Sequence, residues 1–125
     1  KSVRDEVAKT RVEKNPVSHG EVIITEKGNT LCYDAISGRY FKSDIDKIRK
    51  VENILNKRLL SEDYISLNDF YSELGLEYTK LGDDLGWNVI DGLIEFDFSS
   101  TLADDTPCIV IDYKVAPKRG YNRYS

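Results

Sequence analysis

The residues best suited to chemistry lie near the end of the chain. Asp112-Tyr113-Lys114 closes one strand-like run, and Asp91, Glu95 and Asp97 sit on the run before it. An acidic residue two places before a lysine, joined by a carboxylate from a neighbouring strand, is how one nuclease superfamily holds Mg²⁺ and orients an attacking water. Alternation places Asp112 and Lys114 on one face. The same alternation also describes a plain solvated face on which Lys114 pairs with Glu95 or Asp97 across the strands. A Mg-dependent nuclease using Asp97, Asp112 and Lys114 is therefore one reading, set against an ordinary ion pair.

Two further acidic stretches, Gly82-Asp83-Asp84 and Ala103-Asp104-Asp105, offer carboxylates to a cation. Neither has the ligand count of an EF-hand loop, and Asp in turns commonly bonds its own backbone. A helix-turn-helix is suggested by F-Y-S-E-L-G-L-E-Y-T-K-L-G-D-D-L, with Gly75 in the turn and Leu81 and Leu85 on the buried face of a second helix. That helix would set Glu77, Asp83 and Asp84 against phosphate with only Lys80 to help, which disfavours nucleic acid. His19 is the only histidine and sits in a polar loop, so imidazole chemistry has one candidate at most. Cys32 and Cys108 both lie in strand-like surroundings and read as buried free thiols, with a disulfide as the alternative. No Gly-rich phosphate loop or Ser/His/Asp arrangement is present, so no catalytic residue, metal or cofactor is assigned.

Charge is unevenly distributed. Residues 1–60 carry 13 Lys/Arg against 9 Asp/Glu, residues 61–112 carry 1 against 13, and residues 113–125 carry 4 against none. Either the basic segments compensate the acidic one, or an acidic face attracts a basic partner. No run is apolar enough to span a membrane. A chain that opens at Lys1 and contains no Met reads as a fragment or processed product.

The elements that position these groups follow from periodicity. Lys1 to Asn15 is charged, with Val3 and Val7 on one helix face, and Pro16 ends it. E-V-I-I-T-E and T-L-C-Y-D around Gly28-Asn29 read as a hairpin, followed by a turn at Ser37-Gly38 and a short strand R-Y-F-K. Ser43 to Leu60 is a helix capped by Ser43, with Ile48, Val51, Leu55 and Leu59 as its stripe and Ile45 and Ile54 widening it. Ser66 to Leu74 is a shorter helix with Ser66 and Asp69 as a capping pair and Gly75-Leu76 as its stop. Trp87 to Val115 reads as one hairpin whose arms meet through the loop S-S-T-L-A-D-D-T-P.

Y-D-A-I-S-G-R-Y-F-K-S-D-I-D-K-I, Y-I-S-L-N-D-F-Y-S-E-L-G-L, K-L-G-D-D-L-G-W-N with L-I-E-F-D-F-S-S, and P-C-I-V-I-D-Y-K-V together resemble a family of small uncharacterised proteins of tailed phages and prophages of Gram-positive bacteria. The resemblance covers about residues 31–117 and brings no assigned activity. It implies an apolar, membrane-inserting segment ahead of a charged helix, with residues 1–15 as the end of a juxtamembrane helix.

The fold expected is α+β: a mostly antiparallel sheet built from an N-terminal hairpin unit and a C-terminal hairpin, covered by one long and one short helix. Residues 16–117 form a single domain in this reading, with 118–125 a flexible basic tail. The function expected is a non-enzymatic accessory module that binds a protein, a basic one if the acidic loops are used, in the host cell at a membrane or in the virion. Tyr40, Phe41, Tyr71, Asp83, Asp84, Trp87, Asp104 and Asp105 are the candidate contact residues, with the aromatics read as core if buried.

Overall fold

The computed structural model describes residues 22–25 and 28–123. Residues 1–15, expected as a charged helix, His19 and the last two residues lie outside that set. The chain divides into two compact units, Lys1–Ile45 with Asp97–Asp112, and Asp46–Phe96 with Tyr113–Ser125.

In the first unit, strands β1 (Val22–Ile24), β2 (Thr30–Asp34), β3 (Arg39–Ser43), β6 (Phe96–Ala103) and β7 (Thr106–Tyr113) form a sheet in the order β1-β3-β2-β7-β6. The end residues Phe96 and Tyr113 of the last two strands belong to the second unit. β2 and β3 pair antiparallel through the Ala35–Gly38 turn, with Tyr33 opposite Tyr40. The turn is held from within: the buried Asp34 carboxylate accepts from the Ser37 N–H at 3.0 Å and its hydroxyl at 2.6 Å. β1 runs parallel to β3, and β2 parallel to β7.

The hairpin expected between β1 and β2 is therefore not formed. Gly28 shows why: a Cβ there would stand 2.3 Å from the carbonyl carbon of Ser43, the last residue of β3. The chain leaving β1 crosses closely over the end of β3 and comes down on its far side, where Thr30 meets Ser43. Only a residue without a side chain fits that crossing, at φ +98°.

The last hairpin is also shorter than its pattern suggests. Ser99 to Ala103, expected as loop, continue β6, and the turn is the pair Asp104-Asp105 at φ 50° and 66°. Two central residues at positive φ make the I′ turn whose twist matches paired strands. Leu31, Tyr33, Tyr40, Ala103, Cys108 and Val110 share one buried cluster, while Cys32 and Phe41 face the other way and are equally buried. Cys32 lies opposite Ile109, so Cys108 points to the opposite face; both thiols are free.

The second unit is built on helix α1 (Ile45–Glu62), whose buried residues Ile48, Val51, Leu55 and Leu59 are the expected stripe. Ile45 and Ile54, expected to widen it, are exposed. Ser43 does not cap the helix; it ends β3, its hydroxyl buried without a hydrogen-bond partner among the described residues. After β4 (Tyr64–Ser66) comes α2 (Leu67–Leu74), where Ser66 and Asp69 form the expected capping box and the N–H of Leu76 returns to the Tyr71 carbonyl. The short α3 (Lys80–Asp84) leads to β5 (Gly86–Asn88), which pairs antiparallel with β4, and then to a 3-10 turn at Val89–Asp91.

Trp87 thus sits in this small second sheet and not in an arm of the last hairpin. Its ring joins Phe70, Phe96 and Tyr113 in an aromatic core, with Phe70 and Phe96 centroids 4.6 Å apart. The α+β class is as expected: a sheet region, one helix of 18 residues and one of 8.

Candidate functional site

The surface of the second unit is organised by one stripe of α1. Arg49, Glu52, Asn56 and Leu60 recur at spacings of three and four, so they lie on one side of the helix, and Asp63 follows just past its end. Its polar side chains are not left to water alone. The Arg49 guanidinium donates to the Phe96 carbonyl at 2.7 Å, and the Glu52 carboxylate accepts from the Phe96 N–H at 2.7 Å. Asn56 meets both backbone groups of Ile94, and the Asp63 carbonyl accepts from the Val89 N–H at 2.8 Å. The connection Val89–Phe96 has no strand partner in its middle, so the helix side chains satisfy backbone groups that a sheet would otherwise pair.

Between these anchor points three large aliphatic side chains are exposed, beside the charged Asp91 and Glu95. Leu60 is 64 % exposed, Ile90 72 % and Leu93 49 %. Leu60 lies one turn beyond Asn56 and just before Asp63, so it faces the same connection that carries Ile90 and Leu93. The connection is stiffened locally as well: the Asn88 side chain accepts from the Ile90 N–H at 3.0 Å, and the Gly92 N–H donates to the Val89 carbonyl. Exposed aliphatics on a fixed loop are poor for solubility and well suited to burial against a partner.

An open slot of about 250 Å³ is lined by Gly86, Trp87, Asp91, Val115, Ala116 and Lys118. The Lys118 ammonium lies 2.7 Å from the Asp91 carboxylate. The slot exists because the segment after β7 closes back on β5: Gly86 and Lys118 exchange backbone hydrogen bonds, and the Trp87 indole donates to the Val115 carbonyl at 2.8 Å. Gly86 is required for this approach, since a Cβ would be 2.3 Å from the Ile65 carbonyl oxygen and 2.6 Å from the Tyr121 ring. Tyr121 is buried, its hydroxyl donates to the Asp83 carbonyl at 3.1 Å, and its carbonyl accepts from Asn88. Residues 118–123, expected as part of a flexible tail, are thus tied down by a buried ring and paired backbone.

A sequence profile described as a family of unknown function, DUF6353, matches residues 1–122. The chain belongs to the DUF6353 family. Searches of curated proteins and of solved structures found no match. The DUF6353 match thus gives membership without an activity, and the residues themselves must carry any functional reading.

Of the candidate contacts, Tyr40, Phe41, Tyr71 and Trp87 are at most 2 % exposed and are core. Tyr40 and Phe41 lie on opposite faces of a sheet that is buried on both, Tyr71 is on the buried side of α2, and Trp87 is in the aromatic core. Asp83 accepts from the Asn68 amide at 2.8 Å, and Asp84 lies 3.7 Å from Arg119. These two carboxylates serve the packing of α3 and the closing segment. Asp104 and Asp105 occupy the I′ turn of the first unit.

The acidic stretch is paired in part by the basic C-terminal segment, Lys114 with Glu95 at 3.3 Å alongside the Lys118 and Arg119 pairs, and in part by Arg58 of α1, which reaches Glu62 and Asp69. The C-terminal pairs are exposed and contribute roughly 0–1 kcal/mol each. Lys114, the lysine of the nuclease reading, is therefore engaged by Glu95, as a cross-strand pair would be. Among the described residues no three His, Cys, Asp or Glu stand together so as to hold a metal ion. The helix-turn-helix reading meets a second helix of only five residues, with Gly82 against Asn68 at its centre. Among the described residues no helix is long and apolar enough to cross a membrane.

Glu52, Asn56, Ile90 and Leu93 were not flagged by sequence pattern. The two polar residues look like a solvated helix face, and Ile90 and Leu93, three apart, lie in a stretch read as a strand arm that the structure breaks at Gly92, φ +95°.

Proposed function

We propose that this DUF6353 protein is a non-enzymatic accessory module that acts by binding another protein through the Leu60, Ile90 and Leu93 surface. The observation that carries this is the exposure of Ile90 and Leu93 on a connection clamped at both ends by α1. Two exposed aliphatics on a mobile loop would be ordinary. Held in one geometry, they offer apolar area at little ordering cost. The partner surface in this reading is apolar, and Asp83 and Asp84, first considered for a basic partner, are already paired within the unit.

The resemblance noted in the sequence supports a phage or prophage origin and presentation from a membrane by a segment ahead of the charged helix. Both remain part of the proposal. Affinity capture from host cells, comparing the wild-type chain with Ile90→Asp/Leu93→Asp, tests the reading. The expected result is a reproducible protein partner lost in the double variant. Equal recovery by both chains, or Mg²⁺-dependent cleavage abolished by Asp112→Asn, would overturn it.

A further inference from the structure

We infer that the outer edge of β6 takes up an extra strand, an extended segment of another protein that carries lysine or arginine. This edge belongs to the first unit and is separate from the Leu60, Ile90 and Leu93 surface.

β6 is the end strand of its sheet, and among the described residues it pairs with β7 alone. The register fixes which backbone groups face out. At one end the Lys114 N–H donates to the Glu95 carbonyl at 3.1 Å, and at the other the chain turns at Asp104-Asp105. Both ends give the same pairing, so no bulge lies between them. Odd-numbered residues from Glu95 to Ala103 therefore bond towards β7, and even-numbered residues from Phe96 to Leu102 turn their N–H and C=O outward. Phe96 shows that parity, since its N–H goes to Glu52 and its carbonyl to Arg49 rather than to β7. Further along, Ser100 and Leu102 are exposed, and among the described residues nothing meets their outward backbone groups.

A row of open N–H and C=O groups is matched by an extended backbone, which is how edge strands recruit a partner strand. Proteins usually blunt such edges with proline, lysine, a bulge or brevity. β6 runs for eight residues, F-D-F-S-S-T-L-A, with none of these. Leu102, 63 % exposed, adds apolar area for a side chain of the incoming strand.

Charge selects the occupant. From Phe96 to Tyr113 the hairpin carries Asp97, Asp104, Asp105 and Asp112 and no lysine or arginine. A second copy fits poorly, because antiparallel pairing of β6 with itself about Ser100 sets Asp97 opposite Ala103 of the other copy, next to its Asp104. Like charges then meet at both ends. A segment with lysine or arginine near its ends meets the same carboxylates with opposite charge.

Amide exchange by NMR, with short synthetic peptides of alternating valine and threonine, tests this. One peptide has lysine at each end, one has glutamate there, and one has the lysines and a central proline. In the free protein the Ser100 and Leu102 amides are expected to exchange fast and those of Ser99 and Thr101 slowly. The lysine peptide is expected to protect Ser100 and Leu102 and to bind about tenfold or more tighter than either of the others. Ser100→Pro removes an outward N–H where an edge strand tolerates proline, and Leu102→Lys puts a cation on the edge, so each is expected to weaken binding severalfold. Leu102 is exposed, so its substitution keeps the test open if Ser100→Pro does not fold.

No binding of the lysine peptide at millimolar concentration, equal binding of all the peptides, or binding indifferent to both variants would overturn the inference. So would Ser100 and Leu102 amides that are already slow in the free monomer. Protection of those amides that rises with protein concentration alone would overturn it in favour of a second copy.

Discussion

Asn56 holds Ile94 by both of its backbone groups: the side-chain amide donates to the Ile94 carbonyl at 2.9 Å, and its oxygen accepts from the Ile94 N–H at 2.7 Å. A helix side chain here takes the place of a neighbouring strand. With Glu52 and Arg49 on Phe96, it fixes the connection on which Ile90 and Leu93 are displayed.

Replacing Asn56 by Leu strips both bonds and leaves two backbone groups without protein partners. A loss of about 2–4 kcal/mol is expected from the unsatisfied pair. Urea unfolding followed by Trp87 fluorescence measures it. Asn53→Ala, one turn away and exposed, should change stability by less than about 0.5 kcal/mol.

Gly86→Ala should be the more damaging of two glycine changes. Its Cβ would meet the Ile65 carbonyl oxygen at 2.3 Å, a backbone atom in a paired strand, whereas Gly82→Ala would meet the Asn68 side chain at 2.1 Å. Side chains yield more readily than strands, so about 3 kcal/mol or more is expected at Gly86 and roughly 1–3 at Gly82. Thermal unfolding of the two variants gives the order.

The I′ turn offers a stabilising change. Asp105 sits at φ 66°, a conformation glycine adopts without the Cβ penalty. Asp105→Gly is expected to raise stability by about 0.5–1 kcal/mol, read as a higher urea midpoint at unchanged slope.

Burial pushes the Cys32 thiol up to about 11 and the Cys108 thiol up to about 12. Both should resist thiol reagents at neutral pH while the protein is folded, and react fully in urea. Rapid reaction of either in the native state would contradict their place on the two buried faces of the sheet.

The same burial sets the response to alkali. Desolvation raises Tyr40 to about 12 and also raises Tyr121, where Asp83 adds to the effect. In each case the folded state holds the proton more tightly than the unfolded chain, so the folded state binds more protons between the two pKa values. Stability is therefore fully retained below the unfolded values, 9.0 for Cys and 10.0 for Tyr, and falls as pH rises through the folded ones. Melting temperature against pH from 7 to 11 should be flat and then decline; the decline should be smaller in Tyr121→Phe.

Local rules carried the helices. The stripe Ile48, Val51, Leu55, Leu59 and the Ser66/Asp69 capping box are contacts within one element or one turn of it, and these were legible. Strand pairing was legible only in part. Gly28 looks like a turn residue, and nothing local tells that its role is to pass the end of β3. The site was the least legible. Alternation assigns Tyr40 and Phe41 to opposite faces but cannot say that both faces are buried, and Asn56 gains its meaning from a residue 38 positions later.

Amide hydrogen exchange with and without the captured partner tests the central claim most directly, because it reports the binding face without altering it. Protection confined to residues 89–94 and to the end of α1 around Leu60 is the predicted footprint. Protection at Asp83-Asp84 or at the Asp104-Asp105 turn, with 89–94 unchanged, would contradict it.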